Sequence, residues 1–204
     1  MSREETLKKE IIKTGKKLYQ ARLFAGRAGN LSARLDKGHM LITATGSCLG
    51  ELKDKDIIKA DISGQSAAKN KLVSSEFPLH RLIYKNFPVE RIIHCHPPLT
   101  NAYFAVYASL KELTLETKFY LRDIPVVNLN TPTVTKPKRV ADALKTNKLA
   151  VIRNHGVVAV GKNFKEALSL IETLESSVKV AAIARLFKRD ILDALDTRLK
   201  RDLT

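Results

Sequence analysis

The sequence predicts a single α/β domain in which helices flank a mainly antiparallel central sheet. Three observations carry this expectation. Short β-branched or alternating runs are interspersed with segments of helical periodicity, but without a regular strand–helix–strand alternation. Two pairs of runs are separated by turn residues, Asp36-Lys37-Gly38 and Asn154-His155-Gly156, as hairpins require. No repeat or low-complexity linker divides the 204 residues, so one domain spanning 1–204 is expected, long enough to bury well over half of its chain's surface.

Taken in order, Ser2 and Glu5 form a capping-box pattern, and Leu7, Ile11, Leu18, Ala21 and Leu23 recur at near-helical spacing, giving a first helix to about Phe24. After the break at 25–30, the runs 31–35 and 40–45 read as a hairpin. Residues 57–62 form a further strand ended by Ser63-Gly64, and 75–86 a helix stopped by Pro88. The run 91–96 is a strand halted by Pro97-Pro98, followed by a helix over 99–110 and a strand over 125–129. A basic amphipathic helix is expected over 137–146, then a second hairpin from 149–153 and 157–160. Asn163 with Glu166 caps a long helix whose apolar stripe runs from Phe164 towards Leu186, and the charged tail beyond it continues as helix or frays.

Composition excludes several classes. No apolar run approaches the roughly 18 residues needed to cross a bilayer, and no signal-like segment follows Met1, so a cytoplasmic location is expected. Cys48 and Cys95 form no recognisable thiol pair and read as reduced. The 36 Lys and Arg against 21 Asp and Glu give a net charge of +15, which suits any anionic partner. The cations are scattered through helical segments, as at Lys8, Lys9, Lys13, Lys16 and Lys17, without the aromatic interleaving of a nucleic-acid module, so nucleic-acid binding is not expected.

Two constellations carry chemistry. His94 and His96, two apart on a strand, project from one sheet face, while Cys95 points to the other. His155, at a strand end beside Gly156, can supply a third imidazole, leaving one coordination position open as in a catalytic zinc shell. The alternative is that each ring simply hydrogen-bonds in the core, and the His-x-His spacing does not decide between them. The second constellation comprises Ser74-Ser75-Glu76, Thr45-Gly46-Ser47 and Gly29-Asn30, three places where hydroxyls and loop or helix-entry N–H groups favour an anion such as phosphate.

Five ordered blocks connect these residues: GRAGNLSARL (26–35), LITATG (41–46), SSEFPLHRLIY (74–84), IIHCHP (92–97) and VIRNHGVVAVGKNFKEAL (151–168). Over nearly its whole length the chain resembles the class II aldolase and adducin-head family. The resemblance implies zinc held by His94, His96 and His155, with Glu76 as a fourth ligand or catalytic base, and phosphate bound by Asn30, Thr45, Gly46, Ser74 and Ser75. It also implies a homotetramer with active sites at subunit boundaries. The adducin branch lacks the metal-binding histidines, so their presence argues for an enzyme.

The activity implied is a lyase reaction: reversible cleavage of a ketose 1-phosphate resembling fuculose 1-phosphate into dihydroxyacetone phosphate and an aldehyde, through a metal-stabilised enediolate. The alternatives within this resemblance are methylthioribulose-1-phosphate dehydratase and pentulose-phosphate 4-epimerase; outside it stands a basic anion- or nucleic-acid-binding protein. The sequence departs from the family's pattern at 113–123, LTLETKFYLRD, where the fuculose-phosphate aldolases supply a tyrosine as general acid from a neighbouring subunit. Tyr120 and Glu116 are the two candidates, and ordinary surface or interface roles for both remain open.

Overall fold

The computed structural model describes residues 1–63, 72–129, 131 and 133–202, with side chains described as far as 188. Seven strands form one sheet in the order β3-β2-β1-β4-β7-β6-β5: β1 (Asn30–Arg34), β2 (His39–Thr43), β3 (Ile57–Asp61), β4 (Arg91–Cys95), β5 (Val126–Asn128), β6 (Leu149–Arg153) and β7 (Gly156–Gly161). Every neighbouring pair is antiparallel except β5 and β6, which run parallel. Among the described residues five α-helices cover the sheet: α1 (Arg3–Gln20), α2 (Phe77–Asn86), α3 (Pro98–Val106), α4 (Pro137–Ala143) and α5 (Phe164–Asp202). No helix among the described residues is long and apolar enough to cross a membrane.

The pleat divides the core in two. On β4, Ile93 and Cys95 join Leu7, Ile11, Phe104, Ile171 and Leu174 under α1, α3 and α5, while Ile92 joins Phe77, Leu79, Ile83 and Val140 under α2 and α4. On β7, Val157 and Ala159 belong to the first cluster, Val158 and Val160 to the second. The central strands are therefore apolar on both faces, and the molecule has three layers, helix–sheet–helix. Polar side chains on such strands are exceptions, and Asn30, Ser32 and His94 are all buried there.

Both hairpins form, with Ser32 opposite Ile42 and Val151 opposite Val157. The Ser2–Glu5 capping box is present, and Asn163 Oδ1 accepts the Glu166 N–H at 2.9 Å. Element ends moved where the chain turns sharply. The first helix stops at Gln20 rather than Phe24, because Arg22 adopts φ +55 and the Leu23 N–H closes back on the Leu18 carbonyl at 3.0 Å, tucking Leu23 and Phe24 into the core. The helix expected over 75–86 begins at Phe77, those over 99–110 and 137–146 end at Val106 and Ala143, and the expected strand 125–129 contracts to β5. The tail is helical: α5 continues to Asp202. Gly64, expected to end a strand, lies outside the described residues. The π-helical turn Thr117–Leu121 and the parallel β5–β6 pair had no signal in the local pattern.

Candidate functional site

At the end of β4 the side chains of His94 and His96 meet His155 from the β6–β7 turn. The Nε2 atoms of His155 and His96 each lie 3.1 Å from Nε2 of His94, and one ligand atom from each of the three rings falls within 4.8 Å of the others. Three local features bring them together. His155 occupies a tight turn in which Asn154 takes φ +59, the His155 N–H bonds to the Ile152 carbonyl at 3.1 Å, and Asn101 of α3 donates to the His155 carbonyl at 3.1 Å. Helix α3 is held in turn by Glu175 of α5, which accepts the Leu99 and Thr100 N–H groups at 3.0 and 2.8 Å. Gly156 allows the turn to approach β4, because a Cβ there would stand 2.4 Å from the Cys95 carbonyl oxygen and 2.7 Å from Cδ2 of His96.

The donor set fits a divalent ion. His94 Nδ1 lies 2.9 Å from the Val157 carbonyl oxygen and so carries the proton, which leaves Nε2 as a lone pair directed at the other two rings. Burial lowers the basicity of all three imidazoles: His94 well below the ordinary value, with the neighbouring histidines adding to the effect, His96 to about 4, and His155 downward. They are neutral at pH 7, as ligands must be, and one lone pair cannot accept well from two ring N–H groups at once.

A cavity of about 190 Å³ opens beside the histidines and is lined by Asn30, Thr45, Gly46, Ser74, Ser75 and Glu76, together with Arg27 and Thr133. Every residue expected to bind phosphate or metal thus shares one cavity wall, drawn from widely separated stretches of chain. Gly29 permits the first of these stretches to lie against β4: it has φ +93, and a Cβ would stand 2.7 Å from the His94 carbonyl oxygen. Two of the backbone donors expected for an anion are already engaged, since the Thr45 N–H bonds to Leu72 and the Ser47 N–H to Ala44. The hydroxyls are a better source: Ser74 Oγ accepts the Glu76 N–H at 3.2 Å, which leaves its own proton to donate.

Glu76 is not a side-chain helix cap. Its Oε1 accepts the Val134 N–H at 3.0 Å, while Oε2 is buried without a hydrogen-bond partner. Burial pushes this carboxyl above the ordinary range, partly offset by the Val134 N–H. Its carboxylate stands outside the three-histidine cluster. Glu116 and Tyr120 lie elsewhere, on a larger cavity of about 770 Å³ with Arg122, Lys148 and Ser169, and Tyr120 is 68% exposed. That cavity contains no histidine, so its size is no guide to the chemistry. Sequence reasoning passed over Arg27, although it lies inside the block 26–35, and His80, whose only signal was its place in the block 74–84.

The chain is similar to known proteins over most of its length. Residues 9–182 match the family described as the Class II Aldolase and Adducin N-terminal domain. The chain belongs to that family. It is 32% identical over 183 residues to an L-fuculose phosphate aldolase of Methanocaldococcus jannaschii, covering 89% of this chain and 99% of the relative. It is also 32% identical over 190 residues to a 3-oxo-tetronate 4-phosphate decarboxylase of Pectobacterium atrosepticum, covering 90% and 87%. Among solved structures, the L-fuculose-1-phosphate aldolase of Thermus thermophilus superposes with a TM-score of 0.81 at 29% identity, over 89% of this chain and 95% of that one. This class II aldolase family member is a lyase of sugar-phosphate metabolism.

Proposed function

We propose that the protein is a zinc-dependent aldolase that reversibly cleaves a ketose 1-phosphate resembling fuculose 1-phosphate into dihydroxyacetone phosphate and an aldehyde. The reading rests on one observation above all: three converging imidazole lone pairs share a cavity with a carboxylate oxygen that has no partner. Three neutral nitrogen donors favour zinc over magnesium or calcium. An ion held by His94, His96 and His155 supplies Lewis-acid stabilisation of negative charge developing on the substrate's carbonyl and hydroxyl oxygens.

The chain's own residues do the rest. Ser74 and Ser75, Thr45 and the Asn30 amide hold the phosphoryl group through hydroxyl and amide donors, with the Arg27 guanidinium adding positive charge at the rim. Glu76, with Oε1 anchored on Val134 and Oε2 free, takes and returns a proton at the substrate carbon. Its raised basicity suits that task better than an ordinary carboxylate would, because the proton it gains is then held nearer neutral pH. At about 190 Å³ the cavity is smaller than the roughly 300–1,000 Å³ usual for ligand sites, which fits a site completed by a neighbouring subunit of a homotetramer. Tyr120 or Glu116 of such a neighbour then takes the proton of the hydroxyl that becomes the aldehyde carbonyl in cleavage, and returns it to that oxygen as general acid in the condensation direction.

The relationship to the decarboxylase supports a second reading, decarboxylation of a 3-oxo sugar-acid phosphate. Aldol cleavage and decarboxylation of a 3-oxo acid both leave an electron pair on a carbon beside a carbonyl, so the same site serves either. Product analysis separates them. The zinc-loaded protein is incubated with fuculose 1-phosphate, ribulose 1-phosphate, ribulose 5-phosphate, methylthioribulose 1-phosphate and 3-oxo-tetronate 4-phosphate. Triose phosphate from a ketose 1-phosphate is expected; an epimer, a dehydrated product or carbon dioxide in its place assigns the site to the corresponding alternative.

A further inference from the structure

Behind the cavity, on the sheet face covered by α2, a buried string of polar side chains ends on Asn30, and its other members, His80, Ser32 and Tyr84, have no part in the chemistry above. His80 is completely buried, and its Nε2 stands 2.6 Å from Oδ1 of Asn30. Its Nδ1 is 2.6 Å from Ser32 Oγ, which is 2.9 Å from the Tyr84 hydroxyl. An amide oxygen can only accept, so Nε2 of His80 carries a proton. Burial holds the imidazole neutral, its basicity lowered to about 3, so Nδ1 accepts from the Ser32 hydroxyl, and Ser32 accepts from Tyr84. The donors all run one way, from Tyr84 through Ser32 and His80 to Asn30.

A free asparagine amide can turn either end to a ligand, the oxygen to a donor or the NH2 to an acceptor. Turning it over here would set its NH2 against the His80 N–H unless the ring proton moved to Nδ1 and Ser32 and Tyr84 reversed with it, and the acceptor then left for Tyr84, the Glu90 carbonyl oxygen, stands 3.5 Å away against 2.9 Å for Ser32. The string fixes the oxygen inward and leaves the NH2 as the end available to the cavity. A buried, fully satisfied network of this kind specifies one geometry and costs heavily when broken in part. Position reinforces it: Asn30 pairs with His94 across β1 and β4, so the amide stands beside the histidine cluster.

We propose that His80 is a positioning residue that makes Asn30 a donor-only group, so that this point of the cavity selects a phosphoryl oxygen and rejects neutral or cationic groups needing an acceptor. The inference rests on the phosphate reading of the cavity. His80 touches no substrate; it acts through Asn30.

Inorganic phosphate is the probe, titrated calorimetrically into the full-length zinc-loaded protein and into a double-mutant cycle of His80→Phe and Asn30→Ala. His80→Phe removes the donor and is expected to weaken phosphate binding roughly tenfold, the scale of one oriented hydrogen bond to a charged group. In the Asn30→Ala background the same change is expected to cost less than about twofold, because the two residues act as one unit. His80→Gln, which carries an N–H near the position of Nε2, is expected to restore affinity to within about threefold. An equal loss in the Asn30→Ala background, or none in the wild type, overturns the proposal. If His80→Phe does not fold, Ser32→Ala decides: a roughly threefold loss that vanishes with Asn30→Ala supports it, and unchanged affinity overturns it. Wild-type protein that fails to bind phosphate overturns the phosphate reading of the cavity and this inference together, whereas phosphate binding indifferent to His80 overturns this inference alone.

Discussion

The histidine cluster and the segment carrying Glu116 and Tyr120 are built on opposite principles. His94, His96 and His155 stand at the ends of strands in the middle of the sheet, largely buried: Val157 holds the His94 ring, Asn101 holds the His155 backbone, and Gly156 leaves room beside His96. Glu116 precedes, and Tyr120 lies within, a π-helical turn whose Thr117 and Leu121 are buried while Phe119 and Tyr120 stand in solvent. Groups that must keep a geometry of a few tenths of an ångström are mounted on rigid strands. Groups on an exposed segment acquire a role only through whatever packs against it.

The largest effect is expected on the rigid side. His94→Ala is predicted to lose most of the bound zinc and at least about a thousandfold in turnover, since even a partner one step removed from a metal commonly costs about 10–100-fold. Far-ultraviolet circular dichroism should stay near wild type, because the β4 ladder to β1 and β7 is made by backbone groups. Full metal content in this variant, measured by elemental analysis, contradicts the assignment of the site.

Glu76→Gln comes next. Gln keeps the acceptor for Val134 but cannot take a proton, so turnover is predicted to fall at least about a hundredfold. Removing a buried charge that burial disfavours is also expected to raise the melting temperature by about 2–4 °C at pH 8. The sign follows from the raised carboxyl: the folded protein binds that proton more tightly than the unfolded chain, so ionisation of Glu76 with rising pH costs stability. Wild-type turnover would leave Glu76 a structural acceptor.

On the exposed side, the paired variants Tyr120→Phe and Glu116→Gln sharpen the contrast. One of them is predicted to slow turnover by about tenfold to a hundredfold, less than Glu76 because water can stand in for an exposed acid, while the other leaves it within about twofold. Two silent variants would detach the segment from catalysis altogether.

The smallest effect concerns protons. Imidazoles already neutral release none on binding metal, so zinc affinity is predicted to change by less than about threefold between pH 8 and pH 6, where three ordinary histidines would lose more than about fiftyfold. Competition titration with a chromogenic chelator at both pH values tests this. The same depression has a cost in acid. The unfolded chain binds these protons more readily, so stability is complete above the free-imidazole value of 6.5 and declines as pH falls towards about 4 for His96 and about 3 for His80.

Much of the fold was legible because local periodicity records which face a residue occupies. The alternation at Ile92, Ile93, His94 and Cys95 separates the two cores and sets His94, with His96 just past the end of β4, on one side, and turn residues at 36–38 and 154–156 mark both hairpins. The ends of elements were less legible, since they depend on single backbone conformations such as Arg22 at φ +55, which no side-chain pattern announces.

By itself, then, the sequence determined the strand and helix faces, the hairpins, the caps and the family blocks that contain the histidines, serines and Glu76. Only the tertiary structure decided which of these groups meet. The separation of 61 residues between His94 and His155 is closed by the β4–β7 register and a Gly156 backbone contact, and that of 58 between Glu76 and Val134 by a hydrogen bond that turns Oε1 away and leaves Oε2 free. The link from His80 to Asn30, 50 residues apart, is of the same kind. Local pattern follows from the period of the backbone, whereas proximity follows from register and packing summed over the whole chain, and a proton's position follows only from which partner stands within about 3 Å.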